Sequence, residues 1–451
     1  MVKRVVIIGG GAAGIDVLEF LQRGKEGAAE GLEITLIKKE PEGFFSSCGL
    51  PFALQGMYDI KELVLFEPRF YRDKGVDFRA ETEVTSIDLE NSAVRIASGE
   101  EIPYDSLVIA TGSKPFIPPI EGKDLEGVFT LWCREDGERL KAAMDVEGTN
   151  NAVIIGGGMI GLQAAVAFAK NGITPTVVEM IPYLLPAILD PDMASIVQKW
   201  LRKDVNFILG KPVRAIKSKQ HVESVIVGEE ELPADIVLIS AGMHPNADMV
   251  NAAGIAIGAS GGIVVDRSLH VKKGNSYLEN VYALGDCIEV IDAVTNSPRL
   301  SQLASTALIQ ARVVANNLLG ISSTYEPCLS PTVATISGLQ VGSVGVTTEC
   351  ARSNGIKTKA GTATKYTKAR FFPTRKMIIA KLIVEVDTEK LIGAQLISEE
   401  TVAERINELT LAIKAGITAT DLCMRERCFE PSLTMVEDVI VDAAMKAIKH
   451  E

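Results

Sequence analysis

Two glycine patterns and one cysteine carry the chemistry that can be read from the residues. Gly9-x-Gly11-x-x-Gly14 follows the apolar run Val5 to Ile8, and Gly156-x-Gly158-x-x-Gly161 follows Ala152 to Ile155. In such a pattern the first glycine permits a tight turn, the second lets the backbone approach a pyrophosphate, and the third lets helix and strand pack closely. Each pattern is followed by another apolar strand, Ile34 to Ile37 and Thr176 to Val178. That βαβ context reads as two dinucleotide sites, against the alternative of two turns with glycine for packing. Cys48 follows the first site in Phe45-Ser-Ser-Cys-Gly-Leu-Pro-Phe52. A cysteine is a redox nucleophile as thiolate, and a helix N-terminus lowers its pKa. Leu50 to Met57 is expected to open such a helix, with Pro51 in the first turn, where proline is tolerated. Two nucleotides handing electrons to one sulfur is the chemistry this implies; the alternative is Cys48 as a packing residue.

Glu179 ends the strand after the second pattern, where an acid hydrogen-bonds the adenosine ribose of NAD and repels a 2′-phosphate. NADH is therefore favoured over NADPH. The other cysteines, Cys133, Cys287, Cys328, Cys350, Cys423 and Cys428, are scattered and form no C-x-x-C pair, so no metal site is expected. Most are expected to be buried small apolar residues.

The 451 residues exceed one core and suggest about three domains. A net charge of -12 and the lack of a long basic run argue against nucleic-acid binding. No apolar run reaches the roughly 18 residues of a membrane span. The N-terminal apolar stretch runs straight into the first fingerprint and reads as a strand, so the expected compartment is the cytoplasm. Ser106 to Ser113 and Asp235 to Gly242 are similar closing strands, the first leading into a proline-rich linker, Lys114 to Pro119. Asn280 to Asp286 is an apolar strand that delivers an acid just past a glycine, and an alanine-rich helix spans Leu303 to Leu319. Beyond about 325, β-branched segments (Thr332 to Ile336, Met377 to Val386, Leu391 to Ile397) precede helical patterns at Val402 to Ala415 and Met435 to Ile448. The expected fold is α/β: two Rossmann-like doubly wound nucleotide-binding domains plus a C-terminal α+β unit serving assembly.

In order along the chain, Gly9 to Gly14, Ala110-Thr111-Gly112, Gly156 to Gly161 and Ala283-Leu-Gly-Asp286 resemble the pyridine nucleotide-disulfide oxidoreductase superfamily over essentially the whole chain. The resemblance implies a discontinuous FAD domain (1–113 and 243–322), an inserted NAD(P)H domain (114–242) and a C-terminal dimerisation domain (323–451), hence a homodimer. It implies FAD contacts from Gly9, Gly11, Ala12, Ala13, Gly14, Ser47, Ala110, Thr111, Gly112, Gly285, Asp286, Leu303 and Ala304. For NADH it implies Gly156, Gly158, Met159, Ile160, Gly161, Glu179 and Gly242. The position five after Cys48 is Ala53, so the C-x4-C of two-cysteine reductases is absent. Cys-Gly-Leu-Pro-Phe instead resembles the single-cysteine branch of NADH oxidases, NADH peroxidases, coenzyme A-disulfide reductases and persulfide reductases, the last two most of all.

Several positions depart from the family pattern. Lys38 stands where an acid is expected after the first unit's second strand; either Glu40 substitutes as the FAD-ribose ligand or that contact is made differently. Met159 and Gln163 stand where the family often has tyrosine and glutamate; Gln163 would remove a charge near the flavin. The C-terminal H-P-[TS] of two-cysteine enzymes reads Glu430-Pro431-Ser432, so no histidine base is expected. Cys428 takes the place of a tyrosine that the partner subunit presents to the active site, either as a second thiol facing Cys48 or as a buried structural thiol. An anionic coenzyme A substrate needs cations; Arg23, Lys25, Arg69, Arg72 and Lys74 are candidates, with Arg23 and Arg69 preferred.

The leading expectation is an FAD-dependent NAD(P)H oxidoreductase reducing a small disulfide or persulfide through Cys48, coenzyme A-type first. The alternatives are an NADH oxidase or peroxidase cycling Cys48 through sulfenic acid, and a flavin redox sensor or electron-transfer protein.

Overall fold

The computed structural model describes residues 3–23, 31–218 and 221–448. Runs of β-branched and aliphatic residues build two parallel sheets buried on both faces, as such runs must be. The first sheet runs His270–Lys273, Ser276–Ala283, Ser106–Ile109, Lys3–Ile8, Leu32–Ile37 and Asp77–Arg79 in spatial order, parallel except for its first hairpin. The second runs Val128–Phe129, Ile236–Ile239, Asn151–Ile155, Thr174–Glu179 and Asn206–Leu209, all parallel.

The two units repeat one plan. Each opens on a strand, a glycine turn and a helix (Ala12–Arg23; Met159–Lys170), passes through a three-stranded antiparallel meander, and returns by a fully buried strand. Between the units the chain crosses twice: Ser113–Pro115 on the way out pairs antiparallel with Met243–Pro245 on the way back. Ser276–Ala283 then rejoins the first sheet beside Ser106–Ile109. The following helix, Ala304–Leu318, packs on Ala12–Arg23.

The C-terminal unit is a five-stranded antiparallel sheet in the order Thr332–Ile336, Leu339–Gly345, Leu391–Ser398, Met377–Glu385 and Thr358–Tyr366. One face buries Ala380, Leu382, Ala394 and Leu396 against helices Val402–Lys414 and Val439–Ile448. The other meets the second nucleotide unit, where Ile336, Leu339, Val341 and Ile397 share a core with Leu162, Phe168 and Val197. The last helix starts at Val439, later than the apolar pattern from Met435 suggests, because the Asp438 carboxylate accepts the Ile440 N–H at 2.9 Å and fixes the helix start there. Among the described residues no helix is long and apolar enough to cross a membrane.

Candidate active site

Both glycine turns are shaped by backbone contacts that no side chain could share. Gly9 has φ +107°, and a Cβ there would lie 2.1 Å from the Ala110 carbonyl oxygen; a Cβ on Gly14 would lie 2.0 Å from Gly9 O. Gly156 (φ +116°) and Gly161 repeat this against Ser240 O at 2.4 Å and Gly156 O at 2.2 Å. The middle glycines, Gly11 and Gly158, face open space, with nothing within 4 Å of a built Cβ. A tight turn with an open middle glycine before a helix fits a pyrophosphate.

Sheet register settles which residue follows each turn. Gly9 N–H donates to Ile37 O and Gly156 N–H to Val178 O, both at 2.9 Å, so Lys38 and Glu179 occupy equivalent positions. Glu179 accepts from the N–H groups of Gly157 (2.7 Å) and Ile181 (2.8 Å). Lys38 is buried beneath Gly10, and burial pulls its pKa down against the opposing charges of Glu40 and Glu42. A cavity of roughly 540 Å³ gathers Gly9, Gly11, Lys38, Glu40, Ser47 and Ala110 to Gly112.

The other residues expected to contact FAD, Ala12, Ala13, Gly14, Gly285, Asp286, Leu303 and Ala304, do not line this cavity. Gly14 lies under the turn, and Ala12 and Ala13 open its helix. Ala13 touches Gly285, whose N–H donates to the buried Gln310 side chain at 2.8 Å. Asp286 accepts from the Ser113 hydroxyl at 3.0 Å; burial nevertheless raises its pKa. Leu303 caps, and Ala304 begins, the helix that carries Gln310. Ser113 and Asn246 escape motif reading. Asn246 donates to Thr111 O at 3.1 Å and accepts the Thr111 hydroxyl on its own carbonyl at 2.7 Å, locking the two crossing strands. Ser113 follows the Ala-Thr-Gly motif directly, which is the signal that could have found it.

Cys48 lies in a 3-10 turn, Ser47–Gly49, that runs into the short helix Leu50–Leu54. Gly49 is pressed against Leu63, with a Cβ there only 2.2 Å from Leu63 Cδ2. Leu50, Ala53 and Leu54 are buried in the core of the second unit, and Leu54 O accepts from the Asn171 amide at 2.9 Å. The cysteine segment is thus anchored to both nucleotide units. The expected lowering of the thiol pKa by a helix N-terminus is overturned: Cys48 keeps an open surface, yet crowding by protein pushes its pKa up. The Asp286 charge pushes it further, and a backbone hydrogen bond opposes both only in part. The helix that follows is five residues long, too short for a strong dipole.

Of the residues expected to bind NADH, Met159 and Ile160 open the helix after the second turn and Gly242 adopts φ +113°. Gln163 donates its amide to Thr335 O at 3.1 Å, tying this helix to the C-terminal sheet. Cys428 is exposed, not buried as a structural thiol would be; only Cys287 and Cys328 are fully buried. Arg23 pairs with Glu19 at 3.3 Å and Arg69 with Asp73 at 3.4 Å, both as exposed ion pairs. Arg72 donates to Phe78 O, Lys74 sits over the Phe70 ring, and Lys25 lies outside the described residues. Arg312, which no motif marks, joins Arg23 over the Phe20 ring, at 5.4 Å and 5.8 Å respectively.

Residues 3–310 match the family described as pyridine nucleotide-disulphide oxidoreductase, and residues 331–439 match its dimerisation domain. The chain is 35% identical to an NADH oxidase of Methanocaldococcus jannaschii over 99% of both chains. It is 29% identical to a CoA-dependent NAD(P)H sulfur oxidoreductase of Pyrococcus abyssi, over 97% of each. The structure of an NAD-dependent persulfide reductase from A. fulgidus superposes with a TM-score of 0.93 at 32% identity, covering 98% of this chain and 82% of that one.

Proposed function

We propose that this chain, which belongs to the pyridine nucleotide-disulphide oxidoreductase family and is an FAD-dependent enzyme using NAD(P)H, passes electrons to a small disulfide or persulfide through Cys48, with coenzyme A-type compounds the favoured substrates. In this reading residues 1–113 and 243–322 hold FAD, 114–242 hold NADH, and 323–451 pair two copies. Gly9, Gly11 and Gly14 shape the flavin pyrophosphate site, Asp286 and Ala110 to Gly112 line its frame, and Glu179 selects NADH. Lys38 replaces the usual acid at the flavin ribose, with Glu40 beside it as acceptor. The chemistry FAD supplies is two-electron transfer between nicotinamide and sulfur. The Cys48 thiolate attacks the substrate sulfur, forming a mixed disulfide and displacing the other sulfur as its leaving group. Arg23, joined by Arg312 over Phe20, offers positive charge for an anionic substrate, and Arg69 offers more. Cys428 is the candidate second thiol presented by a partner. Such chemistry suits the reducing cytoplasm.

The observation that carries this reading is one thiol, open to a substrate, on a segment that belongs to the first unit in sequence and packs into the core of the second. Anaerobic reduction by NADH in a stopped-flow instrument, followed by coenzyme A disulfide, coenzyme A persulfide, peroxide or oxygen, tests it. Fastest reoxidation by a coenzyme A-type oxidant is expected, with Cys48→Ser slowing it by at least about 1,000-fold, the scale at which loss of a covalent nucleophile is felt. Fastest reoxidation by oxygen or peroxide would move the protein to the NADH oxidase or peroxidase reading. Reoxidation by none of them would leave an electron-transfer role. Unchanged turnover in Cys428→Ser would remove the second thiol from the scheme.

A further inference from the structure

Asp190 stands at the N-cap of helix Pro191–Leu201, where an aspartate ordinarily accepts from the first turn, yet its side chain makes no capping bond. The carboxylate is turned across the domain boundary. Its Oδ1 accepts from the Thr348 N–H at 3.0 Å and the Thr348 hydroxyl at 2.7 Å, and its Oδ2 lies 3.0 Å from Lys381 Nζ. The Asp190 N–H donates to Gln395 Oε1 at 2.9 Å, and Lys381 also reaches Asp192 Oδ1 at 2.8 Å. Asp190, Lys381 and Gln395 are all buried. Lys381 and Gln395 are register partners on adjacent strands of the C-terminal sheet. The same face presents Ile397 to the second nucleotide unit, so apolar packing already holds the seam. Charges taken from water into such a seam lose hydration, and what they add is one defined placement.

The backbone carries that placement to the nucleotide turn. Glu179 accepts the Gly157 N–H at 2.7 Å. Leu184 packs beside it, and the Leu185 N–H donates to Gly157 O at 3.0 Å. The Leu189 N–H donates in turn to Leu185 O at 3.0 Å, and Asp190 is the next residue. Leu185 holds φ +54°, a left-handed conformation that a leucine adopts only where its surroundings enforce it.

We propose that Lys381 is a positioning residue for the nicotinamide nucleotide: through Asp190 and the loop 180–190 it fixes the second glycine turn against the C-terminal domain. The inference rests on that turn being the NADH site. Lys381→Met, Lys381→Arg and Glu179→Ala, each in the flavin-loaded enzyme, test it by two separate measurements: the NADH dependence of flavin reduction, and the reoxidation of pre-reduced enzyme. Lys381→Met is expected to raise the half-saturating NADH concentration about tenfold, the scale at which contacts along such a network shift coupling. Reoxidation stays unchanged, and Lys381→Arg recovers most of the loss. Should Lys381→Met fail to fold, Asp190→Asn/Lys381→Met removes both charges and is expected to fold with the same NADH defect. Unchanged NADH dependence, or equal loss in both half-reactions, overturns the inference while an impaired Glu179→Ala leaves the nucleotide site standing. If Glu179→Ala is also unimpaired, the nucleotide reading itself falls.

Discussion

The thiol of Cys48 is harder to ionise than its neighbourhood in sequence suggests, because burial comes first and the charge of Asp286 second. A raised pKa means that the thiolate fraction grows toward higher pH than for an ordinary thiol. Asp286→Asn keeps the side chain's shape and its reach to Ser113 while deleting the charge. Cys48 alkylation by iodoacetamide, followed from about pH 6 to about pH 10 around the ordinary thiol range, should then reach its midpoint at lower pH than in the unaltered enzyme. A midpoint that stays put would mean the carboxylate is already protonated or too well screened to be felt. Motif reading finds both residues, since each sits in a short and distinctive string. Their interaction is invisible there, because it exists only once the Ser276–Ala283 strand returns beside Ser106–Ile109.

Elements whose form follows from local backbone geometry were the legible ones. A three-glycine spacing encodes a turn directly, and both turns stand where that spacing puts them. The final helix shows the opposite case, since its start depends on Asp438, which gathers ion partners from two other segments. Asp438 lies 3.0 Å from Arg405 on helix Val402–Lys414, and 3.5 Å and 2.7 Å from Arg425 and Arg427. Burial raises its pKa, but Arg405, the Ile440 N–H and Arg427 outweigh burial and hold it below the usual carboxylate range. A depressed folded pKa contributes stability above the unfolded value near pH 3.9, and that stability is lost as pH falls through the folded value. Asp438→Asn leaves the buried Arg405 and the half-buried Arg425 and Arg427 with too little negative charge, at an expected cost of about 3–5 kcal/mol. Denaturant unfolding at neutral pH measures that cost, and the gap between variant and parent should close below about pH 4. An undiminished gap there would assign the loss to packing and not to charge. Periodicity reveals which face of a helix is apolar, but ion pairs drawn from distant segments leave no spacing to read.

Across the whole molecule, apolar surface is distributed unevenly. Met424, Phe429, Leu433 and Val436 are each more than half exposed within the single stretch that also carries Cys428. Scattered exposed hydrophobics are ordinary, but such a concentration on one segment of the dimerisation domain marks surface meant for covering. Arg425 and Arg427 hold this stretch to Asp438, so it is presented in a fixed form rather than left to fold on contact. Pre-formed surfaces lose little conformational entropy on binding, which favours tight pairing. The unaltered chain should therefore sediment as a dimer at micromolar concentration. Leu433→Asp/Val436→Asp, which places charge on that surface without touching the core, should weaken pairing by at least about 30-fold, roughly one hot spot of 2 kcal/mol. Sedimentation over a dilution series decides the point. If turnover per chain falls along the same curve as dimer content while bound flavin and flavin reduction by NADH persist, the partner completes the sulfur half of the site. If turnover is indifferent to dissociation, pairing serves stability alone and Cys428 has no place beside Cys48.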